Sequence, residues 1–365
     1  LGAMTPNAPS GTPATPETTP TSAGPTASLT PTPAPTITPT PIPTQVRLTG
    51  IIHEYQKFNN CGPANLSMAL SYWGWKGDQR DTRSYLRPLE SDKNVNPAEM
   101  LAFVEQATDL KAVVRVGGDL ETLKRFIAAG FPVIVEKGYD QAGDAWLGHY
   151  LTFSGYDDSA RVFISQDSLI APDLPVDYDY LRARWRDFNF VYLVIFPPER
   201  EAQVLSLLGP QADPLYNLQF AAQLAEQEAA ALTGREQYFA WFNLGSSRVA
   251  LGDFAGAAQA YDQAFAIYPT IPEDQRPWRV MWYQDGPYAA YYYTERYQDV
   301  IELANTTFFA LGEYTLEEAF YWRGLAKEAL ADWNGAVFDL RKAIELNANF
   351  NAAREQLERL EAEAP

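Results

Sequence analysis

The sequence predicts a mixed α+β domain followed by an all-α helical array, both carried behind a disordered Thr/Pro-rich stalk. Three observations lead there. Residues 1–44 contain 13 Thr and 12 Pro, a single charge at Glu17 and no aromatic residue, so they cannot bury enough surface to offset the entropy of ordering them. Residues 45–200 mix helical and alternating apolar periodicities and carry 17 basic against 21 acidic residues. Beyond Pro197-Pro198 the chain becomes rich in Ala, Leu and Glu, with 11 basic against 24 acidic residues, and only the helical period persists. The expected boundaries are therefore 1–45, 46–200 and 201–365.

Composition removes several function classes. Net charge is -18 over 365 residues, which repels phosphate backbones and disfavours nucleic-acid binding. One cysteine, Cys61, and two histidines, His53 and His149, supply neither a disulfide nor the donor set of a structural metal site, so no metal or cofactor is expected. No run of 18 apolar residues occurs, and no membrane span is expected. The Thr-Pro repeats of the stalk favour extended polyproline conformations. They point to a surface stalk, and so to an extracellular or surface-attached location, the alternative being an interdomain linker; any export signal or anchor is expected to have been removed or to lie outside this sequence.

Within 46–200, apolar spacing predicts helices over 65–75, 97–107 and 120–128. Strands are expected over 131–135, 150–155, 162–166 and 190–196. Asp157-Asp158-Ser159 reads as turn chemistry between two of them.

The informative stretch is Gln56-Lys57-Phe58-Asn59-Asn60-Cys61-Gly62-Pro63-Ala64. Pro63 suits the first turn of a helix, which puts Cys61 at the positive helix end that stabilises a thiolate. Gln56 lies upstream, where its amide can reach an oxyanion. A base must come from one of two histidines. His149, at the start of a strand in Gly148-His149-Tyr150, is the better placed. Asp167 closes the next strand, and antiparallel pairing would return it to His149 to fix the imidazole tautomer.

Taken together, Gln56, Cys61-Gly62-Pro63-Ala64, Gly130-Phe131-Pro132-Val133-Ile134-Val135, Gly148-His149-Tyr150 and Asp167 resemble a C39-like, papain-like cysteine peptidase domain. The resemblance covers roughly residues 48–198. It implies Cys61 as nucleophile, His149 as general base, Asp167 as its orienter and Gln56 as oxyanion donor. Two positions depart from the family pattern: Asn60 stands where an acid is frequent, and Ser168 where proline is usual. The implied activity is a thiol hydrolase, in the first place a peptidase acting on a peptide or protein through an acyl-enzyme. The best-known relatives cleave double-glycine leaders while fused to a transporter, and this chain has neither a span nor a nucleotide-binding loop for that role. The alternative is a non-catalytic adaptor that keeps the peptidase fold as a scaffold.

In the helical region Trp241, Leu244, Gly245, Gly252, Ala257, Tyr261, Ala264 and Pro269 fall at the spacings of a 34-residue helical repeat. They resemble the tetratricopeptide repeat. A degenerate second copy runs through Tyr297, Val300 and Thr307, and a third through Gly324, Trp333, Ala336 and Ala343, with flanking helices near 212–232 and 350–361. The expectation is a separate papain-independent solenoid with a partner-binding groove. Trp241, Leu244, Ala257, Tyr261 and Ala264 pack between helices, leaving Phe239, Phe242, Ser246 and Val249 to face a protein partner.

Overall fold

The computed structural model describes residues 42–89, 94–140, 146–312 and 314–363. Most of the Thr/Pro-rich segment lies outside them. Its last residues already belong to the fold: Ile42 packs on the core, and the Thr44 carbonyl accepts from the Asp158 N–H at 2.9 Å.

The first half runs β1 (Gln45–Arg47), α1 (Cys61–Tyr72), α2 (Gln79–Leu86), α3 (Pro97–Ala107), β2 (Lys111–Arg115), α4 (Leu120–Ala128), β3 (Val133–Tyr139), β4 (Leu147–Asp157), β5 (Val162–Asp167), β6 (Ala171–Asp177), α5 (Tyr178–Trp185) and β7 (Tyr192–Phe196). All strand pairings are antiparallel, in the order β2-β7-β3-β4-β5-β6, and β1 pairs with the end of β4. The central strands are apolar on both faces because both are covered. Ile134, Leu193 and Ile195 meet α1 and α3 through Leu66, Leu70, Met100 and Phe103. Val133, Val135 and Val194 meet Leu123, Phe126 and Ile127 of α4 and Leu181 and Trp185 of α5. Alternation along each strand thus sorts one continuous apolar run into two layers.

The helical half comprises α6 (Glu201–Leu208), α7 (Pro214–Ala231), α8 (Gly234–Ala250), α9 (Phe254–Ile267), α10 (Gly286–Tyr293), α11 (Tyr297–Leu311), α12 (Glu317–Ala329), α13 (Trp333–Leu346) and α14 (Asn351–Glu363). The repeat signature is visible in its turns. Asp253 caps α9 through the Gly256 N–H, and Asp332 caps α13 through the Gly335 N–H. Each cap follows a left-handed residue, Gly252 at φ 79° and Ala331 at φ 62°, so one turn geometry is used twice.

The expectation of a separate solenoid does not survive. Residues 42–365 form one compact unit, and a single core joins Trp146, Phe188 and Val191 of the sheet half to Tyr238, Phe239, Phe242, Tyr261 and Tyr288 of the helices. The two halves are tied at both ends of the array. Near its start, Asn217 Nδ2 donates to the Val116 carbonyl (2.8 Å), and Arg186 pairs with Glu228 (2.9 and 3.0 Å). Near its end, Asn349 Nδ2 donates to the Tyr85 carbonyl (3.2 Å), and Asn94 Nδ2 donates to Glu318 Oε1 (3.3 Å). Among the described residues no helix is long and apolar enough to cross a membrane.

This docking also corrects the expected groove. Phe239 and Phe242 are 0% exposed; Phe239 packs on Trp146 at 5.5 Å and Phe242 on Tyr261 at 4.9 Å. Ser246 and Val249 are half-buried and line a cavity facing the sheet half. The face of α8 expected to be open is covered by residues 186–190, with Asn243 Nδ2 donating to the Arg186 carbonyl and Asn189 Nδ2 to Ser247 Oγ. Trp241 is only partly buried, and Trp333, counted among the repeat positions, is 51% exposed.

Candidate active site

The loop before α1 is held by a glutamine. Gln79 Oε1 accepts from the Lys57 N–H (2.8 Å) and Asn60 Nδ2 (3.0 Å), and its Nε2 donates to the Tyr55 carbonyl (2.9 Å) and Glu54 (3.1 Å). Buried Arg87 donates to the Asn59 carbonyl at 2.5 Å. Asn59 takes φ 54°, a left-handed conformation that asparagine tolerates better than most residues. The loop therefore delivers Cys61 as the first residue of α1, where unpaired N–H groups and the helix dipole favour negative charge. Gly62 is required by the same packing, since a Cβ there would lie 3.0 Å from Met100 Cε and 3.1 Å from Val95 Cβ.

β4 supplies His149 and β5 supplies Asp167, both buried. His149 Nε2 lies 3.0 Å from Asp167 Oδ1, which leaves Nδ1 for the Cys61 thiol, whose pKa this imidazole lowers. Asp167 Oδ1 is itself held by the N–H groups of Leu169 (2.8 Å) and Ile170 (3.2 Å). Burial opposes charge on all three groups, and their mutual hydrogen bonds and attraction overcome it. The thiol is held below its ordinary value, the imidazole above and the carboxyl below. His53 sits elsewhere, edge-on to the Tyr55 ring at 4.8 Å.

Gln56 joins this group through Ser168. The Gln56 N–H donates to the Ser168 carbonyl (2.8 Å), and the Ser168 hydroxyl donates to Gln56 Oε1 (2.8 Å). With its oxygen so engaged, the amide presents its N–H groups on the opposite side. Ser168 is positioned in turn by Asn65 Nδ2 (3.1 Å), which also donates to the carbonyls of Cys61 (3.0 Å) and Tyr150 (2.8 Å). The serine at the unusual position is thus the residue that orients Gln56. The structure brings all four sequence-picked residues into one connected network. Asp157 and Asp158 stay outside it: Asp157 accepts from the Ser159 and Ala160 N–H groups of the turn, and Asp158 pairs with Lys124 (2.7 Å) and Tyr178.

Three further residues border the thiol. Tyr150 donates its one hydroxyl hydrogen within reach of both the Val95 carbonyl (2.8 Å) and Glu136 Oε2 (2.9 Å). Burial, with the negative charge of Cys61 beside it, raises the Glu136 carboxyl well above the usual range, so a neutral Glu136 can donate to Tyr150 while Tyr150 donates to Val95. Tyr283, from the segment before α10, packs over the backbone next to His149; a Cβ on Gly148 would come within 3.0 Å of its ring. Among the described residues no group of three or more His, Cys, Asp or Glu is arranged to hold a metal ion. A buried imidazole between a thiol and a carboxylate can take up the thiol proton, and amide N–H groups beside it can receive a developing oxyanion.

Residues 41–193 match the Peptidase_C39 like family, and residues 238–271 match the tetratricopeptide repeat. The chain therefore carries a C39-like peptidase domain followed by a tetratricopeptide repeat. No curated protein matches it. Similar solved structures include a C39-like peptidase from Bacillus anthracis, at 16% identity and TM-score 0.35, covering 41% of this chain and 96% of that one. A double glycine motif protease from an AMS/PCAT transporter, solved with its leader peptide, is 16% identical at TM-score 0.32, over 42% and 94%. Xylellain, a cysteine protease from Xylella fastidiosa, is 14% identical at TM-score 0.32, over 43% and 87%.

Proposed function

We propose that the protein is a thiol hydrolase that cleaves an amide bond in a peptide or protein through an acyl-enzyme on Cys61. The observation that carries the reading is Cys61 at the start of α1 with its thiol pKa lowered by His149, whose Nε2 pairs with Asp167 at 3.0 Å. In this reading His149 takes the thiol proton, Cys61 sulfur attacks the carbonyl carbon, and Gln56 with the Cys61 N–H receives the oxyanion. His149 then returns the proton to the leaving amine, and water releases the acid in a second passage through the same groups. The tetratricopeptide repeat supports protein binding as an accompanying property. An extracellular or surface-attached location belongs to the proposal and rests on the Thr/Pro-rich composition of residues 1–45 alone.

The test is the pH dependence of alkylation by iodoacetamide. Because Cys61 is held low and His149 high, the thiol should react at about pH 6 well above the rate of a free cysteine, whose pKa is ~8.5. His149→Ala should abolish the excess. Ordinary thiol kinetics that ignore His149 would remove the nucleophile and leave the adaptor reading.

A further inference from the structure

Two cavities run between the sheet half and the helices. One, of about 420 Å³, is lined by Tyr85 and Glu99 on one side and Glu317, Glu318, Asn347 and Phe350 on the other. The second, of about 370 Å³, is lined by Glu136, Val191, Ser246, Val249 and Tyr283. Asn96, Ala98 and Asp285 line both, so they form one cleft. Tyr283, in the wall of the second cavity, packs against Gly148, the neighbour of His149, and so joins the cleft to the surroundings of Cys61.

Five carboxyl groups line this cleft, Glu136 together with Glu99, Asp285, Glu317 and Glu318, and among the described residues the donors that reach the last four are neutral. Glu99 Oε2 accepts from the Asn96 N–H (2.9 Å), Asp285 Oδ2 from Trp322 Nε1 (3.1 Å), Glu318 Oε1 from Asn94 Nδ2 (3.3 Å) and Glu317 Oε1 from Asn347 Nδ2 (3.0 Å). Glu317 is 2% exposed, and its second oxygen, Oε2, is buried without any hydrogen-bond partner. Two other buried acids, Asp339 and Asp187, are neutralised differently. Asp339, fully buried, takes both Arg323 (2.7 Å) and Lys327 (2.8 Å), and Asp187 has Arg184 and Arg235 at 3.6 Å. Among the described residues no lysine or arginine pairs with Glu99, Asp285, Glu317 or Glu318. Burial raises all four groups, and repulsion from the neighbouring acids adds to it at Glu99, which reaches about 7, and at Glu318.

The four are not gathered tightly enough to hold a metal ion. They are spread along walls contributed by α3, α12 and the start of α10, a spacing suited to cations carried on a chain. We propose that this cleft binds lysine or arginine side chains of the peptide on which Cys61 acts, with Glu317 and Glu318 as the principal counter-charges. The proposal rests on the reading of Cys61 as nucleophile, and it names the substrate class of that site: a basic peptide lying between the two halves. Ammonium or guanidinium hydrogen bonds would satisfy Glu317 Oε2, which nothing in the described chain satisfies.

The test uses the full chain carrying Cys61→Ala, so that binding is read without cleavage. Fluorescence anisotropy is measured with a labelled eight-residue peptide of alternating Lys and Ala, and with its Glu-for-Lys counterpart. The expected result is binding of the Lys peptide at least about tenfold tighter than the Glu peptide, weakened as salt rises. Glu317→Gln with Glu318→Gln should lose about tenfold in affinity for the Lys peptide. Glu302→Gln with Glu358→Gln, on exposed helix surface, should lose little. Equal binding of both peptides, or an equal loss in the two double variants with helical content unchanged by circular dichroism, would overturn the proposal. The two readings fail separately: cleavage of neutral and basic peptides alike keeps Cys61 as nucleophile and sinks the basic cleft. Lys-peptide binding that depends on Glu317, in a protein whose thiol is inert, does the reverse.

Discussion

The surroundings of Cys61 and the cleft beside it treat charge in opposite ways. At the thiol, each group that becomes charged has its answer within the chain: Asp167 faces His149, His149 faces Cys61, and two backbone N–H groups hold Asp167. In the cleft, Glu317 keeps a buried oxygen that nothing among the described residues answers. A site that closes its own electrostatics is organised for a proton moving between fixed groups, and one that leaves them open is organised for something that arrives.

The contrast can be broken or sharpened at three points. The largest effect is expected from His149→Ala, which removes the imidazolium that faces the thiolate. Peptide cleavage should fall on the order of 10³-fold, measured as kcat/KM, and a loss of only a few fold would mean that the thiol site does not depend on its internal pairing. Gln56→Ala should lower cleavage by ~100-fold while changing alkylation little, because it serves the oxyanion and not the thiolate. Equal losses in both assays would make Gln56 a structural clamp on Ser168. The smallest effect lies in the cleft. The Glu99 carboxyl moves from 4.5 to about 7 on folding. Below the unfolded value both states hold the proton; through the window up to about 7 only the folded state does, so stability falls as pH rises across it. Glu99→Gln should therefore raise the melting temperature by roughly 2–4 °C at about pH 8 and by little at about pH 4, read by calorimetry. The same increment at both values would show a carboxyl that is not desolvated.

The thiol site was legible in sequence because its marks are local: a helix start after Cys61, a strand start at His149 and a strand end at Asp167. What positions them was not. Asn65 reaches Tyr150 across 85 positions and Ser168 across 103, and Ser168 reaches Gln56 across 112; no periodicity encodes such pairs. Gln79 sits in a helix, Gln79–Leu86, whose polar composition hides it. β6 contains two prolines, Pro172 and Pro175, and reads as a loop; it is tolerated because it is an edge strand. The error over Phe239 and Phe242 has a different cause. Helical spacing could not tell that Trp146 of the sheet half covers Phe239, and it assigned Phe242 to the open face although that ring packs on Tyr261 of the neighbouring helix.

Solenoids ordinarily tolerate changes in repeat number, because each unit touches only its neighbours and an added or lost unit merely lengthens or shortens a free stack. Here the array is fastened near its start by Asn217 and Glu228 and near its end by Asn349 and Glu318. Its middle is docked as well, Gln284 Nε2 donating to the Asp187 carbonyl at 2.9 Å and Tyr283 packing on Gly148, so the array is a brace bonded along its length. Inserting or deleting one helical pair would displace the far footing from α2, so the number of repeats in this chain is set by the span it must bridge.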